Sequence, residues 1–206
     1  MTKEEALSII FNCADQYKSN LEDRNLLFIC TNSALKVSSL EAAFIGSNFL
    51  HMTGIKFLST PPMSPNAFYS KCMDRRLSVQ DFDMDKQGHT EQKLLVLPQL
   101  VKANLSANIV GDYNSSRPLL ATDKLAGGVR CCMGFVCDHK KAPFLVPNSV
   151  MNEDIRKLTN NRLRIVATYR KRIMDTDYNE IVYKAKKIEW MNLKYPSGWG
   201  NRPKPV

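Results

Sequence analysis

The sequence predicts an α+β fold in which N-terminal helices pack on a largely antiparallel sheet of about four strands. Amphipathic helical patterns dominate the first half of the chain, and apolar residues at strand period dominate the second half. With 206 residues, 44% of them hydrophobic and 24% charged, the chain is long enough for one generous globular domain. We expect this domain to cover residues 1–190 and an irregular tail containing Pro and Gly to cover residues 191–206.

Three segments of the first half have helical patterns. Residues 3–19 carry one apolar stripe at helical spacing. Residues 64–74 begin with a Ser-Pro pair, which suits a cap followed by the first turn of a short helix. A longer helix is predicted from Thr90, with its apolar residues facing inward, and Pro98 is expected to kink it.

The remaining elements are strands joined by polar segments. Apolar runs at 26–30 and 40–45 are separated by polar residues and predict a first hairpin. Residues 111–128 are dense in polar groups and are predicted to form a long loop of the kind that often carries function. Residues 129–137 and 144–146 predict a second hairpin, which a short helix near 152–159 follows.

The last quarter of the chain carries all of its net charge. Residues 156–206 contain 13 Lys or Arg against 4 Asp or Glu, whereas residues 1–155 contain 16 of each, so the formal net charge of +9 belongs to this block. Two runs there alternate basic and apolar residues and predict a hairpin with an apolar face and a cationic face. Fixed cations suit a phosphate backbone, while an ordinary solvated sheet face is the alternative. The residues assigned to nucleic-acid contact in these strands are Arg162, Arg164, Tyr169, Arg170, Lys184 and Lys186.

The sequence also indicates the cellular compartment of the protein. The N-terminus lacks the basic and apolar regions of a signal peptide, and no run approaches the roughly 18 apolar residues of a membrane span. Six cysteines in such a chain read as reduced thiols. We therefore expect a cytoplasmic protein that does not bind a membrane.

Histidine is the first candidate for catalysis. His51 lies among bulky apolar residues and before a Thr-Gly pair, a position that can hold an imidazole against a pocket wall for proton transfer. The alternative is a semi-buried, hydrogen-bonded histidine that helps to close a helix at Gly54. His89 and His139 are expected at the surface, in a polar turn and at a hairpin tip.

A metal site is not expected. Cys131, Cys132, Cys137 and His139 lack the Cys-x-x-Cys spacing of structural zinc sites, and adjacent cysteines of a strand point to opposite faces. Packed thiols are the better account. The sequence also contains no phosphate-binding glycine loop and no nucleophile elbow, so no cofactor is expected.

Cationic and hydroxyl groups remain on or beside the long loop. They include Tyr113, Arg117, Asp123, Lys124 and Arg130. Cleavage of RNA without a metal requires a base for the 2′-hydroxyl proton, an acid for the leaving 5′-oxygen and cations for the phosphorane. These residue types can fill such roles, although the sequence does not show whether they converge.

Seven segments, taken in order, resemble one family: 48–55, 94–100, 111–116, 122–127, 134–136, 146–148 and 153–156. The family is the fourth subfamily of phage-associated nuclease-like domains in the barnase–EndoU–colicin–RelE superfamily. The resemblance covers roughly residues 3–190. It implies a barnase/RelE-like α+β fold and a metal-independent ribonuclease of toxin-like character, active in conflict between phage and host.

The resemblance also implies roles for particular residues. Carried over position by position, His51 is an acid or base with Thr53 beside it, and the loop supplies Tyr113, Asp123 and Lys124. Arg130 and Arg170 are the implied phosphate contacts. The expected chemistry is acid–base transphosphorylation, which leaves a cyclic phosphate.

Three functions compete at this stage. The first is an endoribonuclease, which requires His51 to open onto the same cleft as Lys124 and the basic strands. The second is a non-catalytic nucleic-acid-binding or inhibitor protein, in which His51 is buried among its apolar neighbours. The third is an interaction module for an acidic protein. RNA is the expected partner and a neutralising or target protein is a further one, while the sequence does not define the oligomeric state.

Overall fold

The chain folds into a closed mixed β-barrel, as seen in a computed structural model that describes residues 1–115, 120–137 and 144–205. Within these ranges the main sheet has eight strands, seven of which form the barrel, and five α-helices accompany it. The predicted barnase/RelE-like α+β fold with a sheet of about four strands is therefore wrong, because the main sheet has twice as many strands and closes on itself. The helices are α1 (Lys3–Asn20), α2 (Phe49–Thr53), α3 (Pro65–Met73), α4 (His89–Leu100) and α5 (Ile155–Leu158).

Strand order explains how the barrel closes. The strands are β1 (Arg24–Thr31), β2 (Val37–Phe44), β3 (Lys56–Phe57), β4 (Phe82–Asp83), β5 (Ile109–Tyr113), β6 (Lys124–Gly127), β7 (Cys132–Cys137), β8 (Leu145–Met151), β9 (Thr159–Arg172) and β10 (Glu180–Lys184). The main sheet runs β1-β2-β8-β7-β6-β5-β9-β10, and β1 also pairs with β9. The β2–β8 pair is parallel and the other pairs of this sheet are antiparallel, while β3 and β4 form a separate pair.

The length of β9 is the physical reason for the closure. One edge of this 14-residue strand pairs with β1, and its other edge pairs first with β5 and then with β10. The alternating sequence predicted a strand here, but the pairing that closes the barrel joins β9 to β1, more than a hundred positions away in the sequence. The segment predicted as a long loop at 111–128 is also partly wrong, because its two ends belong to β5 and β6.

Four of the five helices of the described residues lie where the sequence predicts them, and α2 is the addition. Thr2 caps α1 through a capping box with Glu5, and the predicted apolar stripe is buried. Ser64 caps α3, with Pro65 in its first turn. The predicted helix that contains Pro98 is confirmed as α4. None of the helices within the described ranges has both the length and the apolar character needed to cross a membrane.

Alternate strand residues supply an inner core and two outer clusters. Inward residues of all seven barrel strands, such as Phe28 and Phe135, share one core with α1, α2, α3 and α4. On the outside, one cluster of β5, β6, β7 and β8 is covered by α5. The other, on β1 and β9, is covered by the segment after β10, whose Leu193 and Trp199 are buried. The cysteines follow the same alternation, with Cys131 in the inner core and Cys132 in an outer cluster.

Candidate active-site cleft

Two depressions lie side by side along α4, and together we call them the α4 cleft. Their volumes are about 630 and 620 Å³, and both are lined by Asn152 and Glu153, which follow β8. One wall is a face of α4 that presents residues at helical spacing, including His89, Lys93 and Val96. The end of β8 supplies the other wall, so helix and barrel together shape the cleft.

Charged groups converge in the first depression. It is lined by Lys56 from β3, by Asp85 just before α4, and by His89 and Lys93 from α4 itself. His89 and Lys93 are four residues apart, and such positions on an α-helix place their Cβ atoms about 5–6 Å apart. An imidazole, a carboxylate and two amines thus share one wall.

Asp85 joins two of these groups. Its Oδ1 lies 2.6 Å from Lys56 Nζ, and its Oδ2 lies 3.0 Å from His89 Nδ1. The hydrogen bond from Lys56 and, after it, the charge of that lysine lower the pKa of Asp85. The carboxylate therefore stays ionised, and its Oδ2 faces His89 Nδ1, which favours the neutral tautomer with the proton on Nδ1 and the lone pair on Nε2.

The local backbone fixes Asp85. The carboxylate is only 11% exposed, whereas the His89 side chain is 60% exposed. Asp85 N–H donates to Thr90 Oγ1 at 2.9 Å, and that hydroxyl donates to the carbonyl of Gly54 at 2.7 Å. Buried Thr90 thereby ties the start of α4 to the end of α2, and Asp85 holds His89 from a rigid position.

Lys93 is the second titratable group of the first depression. Burial lowers the pKa of its ammonium, since the charged form loses hydration there. Nζ donates to the carbonyl of His51 at 3.2 Å, and no carboxylate within the described residues lies within 4 Å of it. Gly54 makes room for the lysine stem, because a Cβ at that position would lie 2.7 Å from Lys93 Cδ. The amine is thus poised to exchange a proton.

The second depression is lined by basic groups from two other elements. Arg130 comes from the turn between β6 and β7, and Lys157 comes from α5. Asp154 lines the same depression, caps α5 and accepts from Arg156, and these contacts lower its pKa to about 2. The cleft therefore carries acid–base groups at one end, and Arg130 and Lys157 beside two carboxylates at the other.

The sequence-predicted His51 lies beside this cleft without lining it. Its side chain is exposed on α2, and its contact with the cleft is the carbonyl that accepts from Lys93. Thr53 is buried and donates to the carbonyl of Leu50 at 2.8 Å, which is a helix-end contact. His51 is neither buried among its apolar neighbours nor placed with Lys124, so neither arrangement expected from the sequence is found.

The loop groups meet each other at a different place. Tyr113 N–H donates to the carbonyl of Asp123 at 3.0 Å, and Lys124 forms an ion pair with Asp112 across β5 and β6. Tyr113 is 8% exposed, and burial raises the pKa of its hydroxyl. Asp123 Oδ2 accepts from the N–H of Cys137 at 2.7 Å. These three predicted residues lie together, and neither they nor His51 and Thr53 line the two depressions of the α4 cleft.

A bulge in β9 divides the predicted cationic face. Arg170 lies opposite Leu26, which belongs to the inner core. The register shifts at Val166, and Arg164 lies beyond the shift, next to inward-facing Ile165. Arg164 is therefore directed outward and Arg170 inward.

The remaining predicted contacts have different surroundings. Arg170 Nε lies 2.8 Å from Glu180 Oε2, and its Nη1 donates to the carbonyl of Asn20 at 2.8 Å, so this guanidinium is occupied within the fold. Tyr169 is buried in the outer cluster under the C-terminal segment. The side chains of Arg162, Lys184 and Lys186 are exposed, while Arg117 and His139 lie outside the described residues.

Sequence reasoning did not assign a role to Lys56, Asp85, Lys93 or Lys157, and it treated His89 as a surface residue. A signal was present, because Asp85 and His89 are four residues apart across the start of a predicted helix. The proximity of Lys56 to Asp85 depends on the pairing of β3 with β4. These strands have two residues each, which is too short to give a sequence pattern.

Comparison with known proteins gives one match. A sequence model of the family described as phage-Barnase-EndoU-ColicinE5/D-RelE like nuclease4 matches residues 9–187. No curated protein and no solved structure matches the chain.

Proposed function

Since the chain belongs to this phage-related nuclease-like family, we propose that it is a ribonuclease and that the α4 cleft is its active site. The observation that supports the assignment is the convergence of His89, Asp85, Lys93 and Lys56 in one depression. RNA is the substrate of choice for such a set, because its 2′-hydroxyl is an internal nucleophile. An acid, a base and fixed cations then suffice for cleavage, and a metal is not required.

In the proposed reaction, His89 Nε2 accepts the proton of the ribose 2′-hydroxyl, and O2′ attacks the adjacent phosphorus. The bond from phosphorus to the 5′-oxygen breaks, and the Lys93 ammonium donates a proton to that oxygen. The products are a 2′,3′-cyclic phosphate and a 5′-hydroxyl end. Proton exchange with water then restores neutral His89 and charged Lys93.

The other cleft groups orient the reactants. Asp85 keeps the proton of the neutral imidazole on Nδ1 and stabilises the imidazolium that forms. Lys56 supplies positive charge beside this pair. Arg130 and Lys157, in the adjoining depression, are placed to contact the phosphates that flank the scissile bond.

The test is cleavage of total RNA and tRNA in EDTA, with product ends examined for a 2′,3′-cyclic phosphate. His89→Ala is expected to reduce the rate by about 10²–10⁴-fold, the usual contribution of a general base. His51→Ala is the matched control, since it also removes an exposed histidine, yet the contact of His51 with Lys93 uses only the main-chain carbonyl. It should cleave like the wild type.

Other outcomes discriminate between the hypotheses. Loss of cleavage in His51→Ala but not in His89→Ala would refute the cleft assignment and favour the site predicted from sequence. Retention of RNA at moderate salt without cleavage by the wild type would favour the non-catalytic binding function. Asp85→Asn provides a second check, because it keeps the size of the side chain but removes the negative charge beside His89 Nδ1.

A further inference from the structure

Four exposed cations surround the turn between β1 and β2, on the outside of the barrel and apart from the α4 cleft. Lys36 ends this turn, and it forms a parallel bridge with Lys194 of the C-terminal segment. Two backbone hydrogen bonds of 2.9 Å hold the bridge, from Val37 N–H to the Lys194 carbonyl and from Lys194 N–H to the Leu35 carbonyl. Two lysines far apart in the sequence are thereby fixed side by side.

Arg164 and Lys186 extend the group from the neighbouring strands. Thr31 pairs with Val37 on one side and with Arg164 of β9 on the other. Since adjacent strands are about 4.8 Å apart, the Arg164 backbone lies roughly 10 Å from that of Val37. Arg164 Nη2 also donates to the Lys186 carbonyl at 3.4 Å. We call Lys36, Arg164, Lys186 and Lys194 the turn patch.

The charges of the turn patch are uncompensated. None of its four cations takes part in an ion pair within the described part of the chain. Like charges held at this spacing repel one another, so a polyanion would gain from binding here.

Aromatic rings border the turn patch. Trp190 and Tyr195 are half-buried in the segment that contains Lys194. Lys184 lies 5.1 Å from the Trp190 ring centre, and Lys204 lies 5.2 Å from that of Tyr195. These lysines lie over the rings, so the border of the turn patch adds two further cations to the surface that a single-stranded polyanion would meet.

We propose that the turn patch is a second binding surface, which holds the phosphates of single-stranded RNA outside the active-site cleft. The choice of RNA over DNA rests on the proposed function, whereas the binding of a single-stranded polyanion does not. The sequence pattern assigned Arg164 and Lys186 to nucleic-acid contact but not Lys36 or Lys194. The fold brings these two lysines together from distant parts of the chain.

The test is the affinity of the full chain for a fluorescent oligouridine, measured by anisotropy across a salt series. Lys36→Gln combined with Lys194→Gln should reduce the slope of log affinity against log salt by about 1.4 and lower the affinity roughly tenfold at about 0.15 M salt. Lys18→Glu is the control, since it changes the net charge equally at an exposed residue of α1. It should leave affinity near the wild-type value.

Each outcome has a distinct meaning. An unchanged slope in the double variant, or an equal loss in Lys18→Glu, would overturn the proposal. Binding of poly-glutamate as tight as that of oligouridine would overturn it in favour of an acidic protein partner. All measurements are repeated in the His89→Ala background, so that failure of catalysis and failure of this surface are separated. Thermal melts of the double variant should match the wild type, because the substituted side chains are exposed.

Discussion

Gly54→Ala is expected to destabilise the protein and to slow cleavage, for two separable reasons. Gly54 ends α2 with φ of 69°, a left-handed conformation that costs an L-residue roughly 1–2 kcal/mol. The added Cβ would also lie 2.7 Å from Lys93 Cδ, although carbon atoms prefer about 3.5–4.0 Å. The lysine stem must then move by about 1 Å, at a cost of about 1 kcal/mol. Together these terms give roughly 2–3 kcal/mol in the free energy of unfolding.

Urea denaturation in a double-mutant cycle separates the two terms. In a Lys93→Ala background the steric term disappears, so Gly54→Ala should cost only the backbone term, and the coupling should be about 1 kcal/mol. Gly88→Ala is the matched control, because Gly88 has φ of 81° but no atom within 4 Å of its added Cβ. Equal losses in both backgrounds would show that Lys93 does not pack against Gly54, and the geometry of the cleft would then be refuted.

Three further predictions concern charge and packing. Burial lowers the pKa of Lys93, so its charged form destabilises the folded protein below that pKa. Stability should rise again as the pH approaches the unfolded value of 10.5. Lys93→Met should therefore stabilise the protein at pH 7 and lose this advantage near pH 10. A pH-independent difference in urea midpoint would contradict this. The pKa of Asp154 is lowered to about 2, so the stability that its cap provides is present above the unfolded value of 3.8 and is lost as pH falls toward 2. NMR can follow the titration of the Asp154 carboxyl. A midpoint near pH 4 would show that these contacts are not made. Phe135→Ala should cost about 3–5 kcal/mol, since this ring is 1% exposed in the inner core and meets Phe44 edge-on at 6.2 Å. Leu95→Ala, at a 57% exposed position, is its control and should change the urea midpoint little.

Local signals predicted the elements well. The apolar stripe of α1 and the cap at Ser64 act within a few residues, and each is confirmed. The alternation of β9 likewise predicted a strand. Closure of the barrel could not be predicted in this way, because it depends on which distant strand meets each edge of β9.

The candidate site could be predicted only in part, because it too depends on how distant strands pair. Regular strand alternation would place Arg162, Arg164 and Arg170 on one face. The additional residue Val166 interrupts the alternation of β9, so that Arg170 lies on the opposite face from the other two. Nothing in the alternation reveals such a bulge. His89 was visible as a titratable residue, yet its relation to Lys56 depends on a two-residue strand pair.

Closure of the barrel also bears on how the protein avoids self-association. A sheet that ends in an unpaired strand offers its backbone to a second molecule, which is a common route to aggregation. In the described sheet, β10 is the strand with a second edge left unpaired. It is five residues long, carries a register shift, and has Glu180 and Lys184 at its two ends. Short length, irregular spacing and charge each discourage intermolecular strand pairing at this edge.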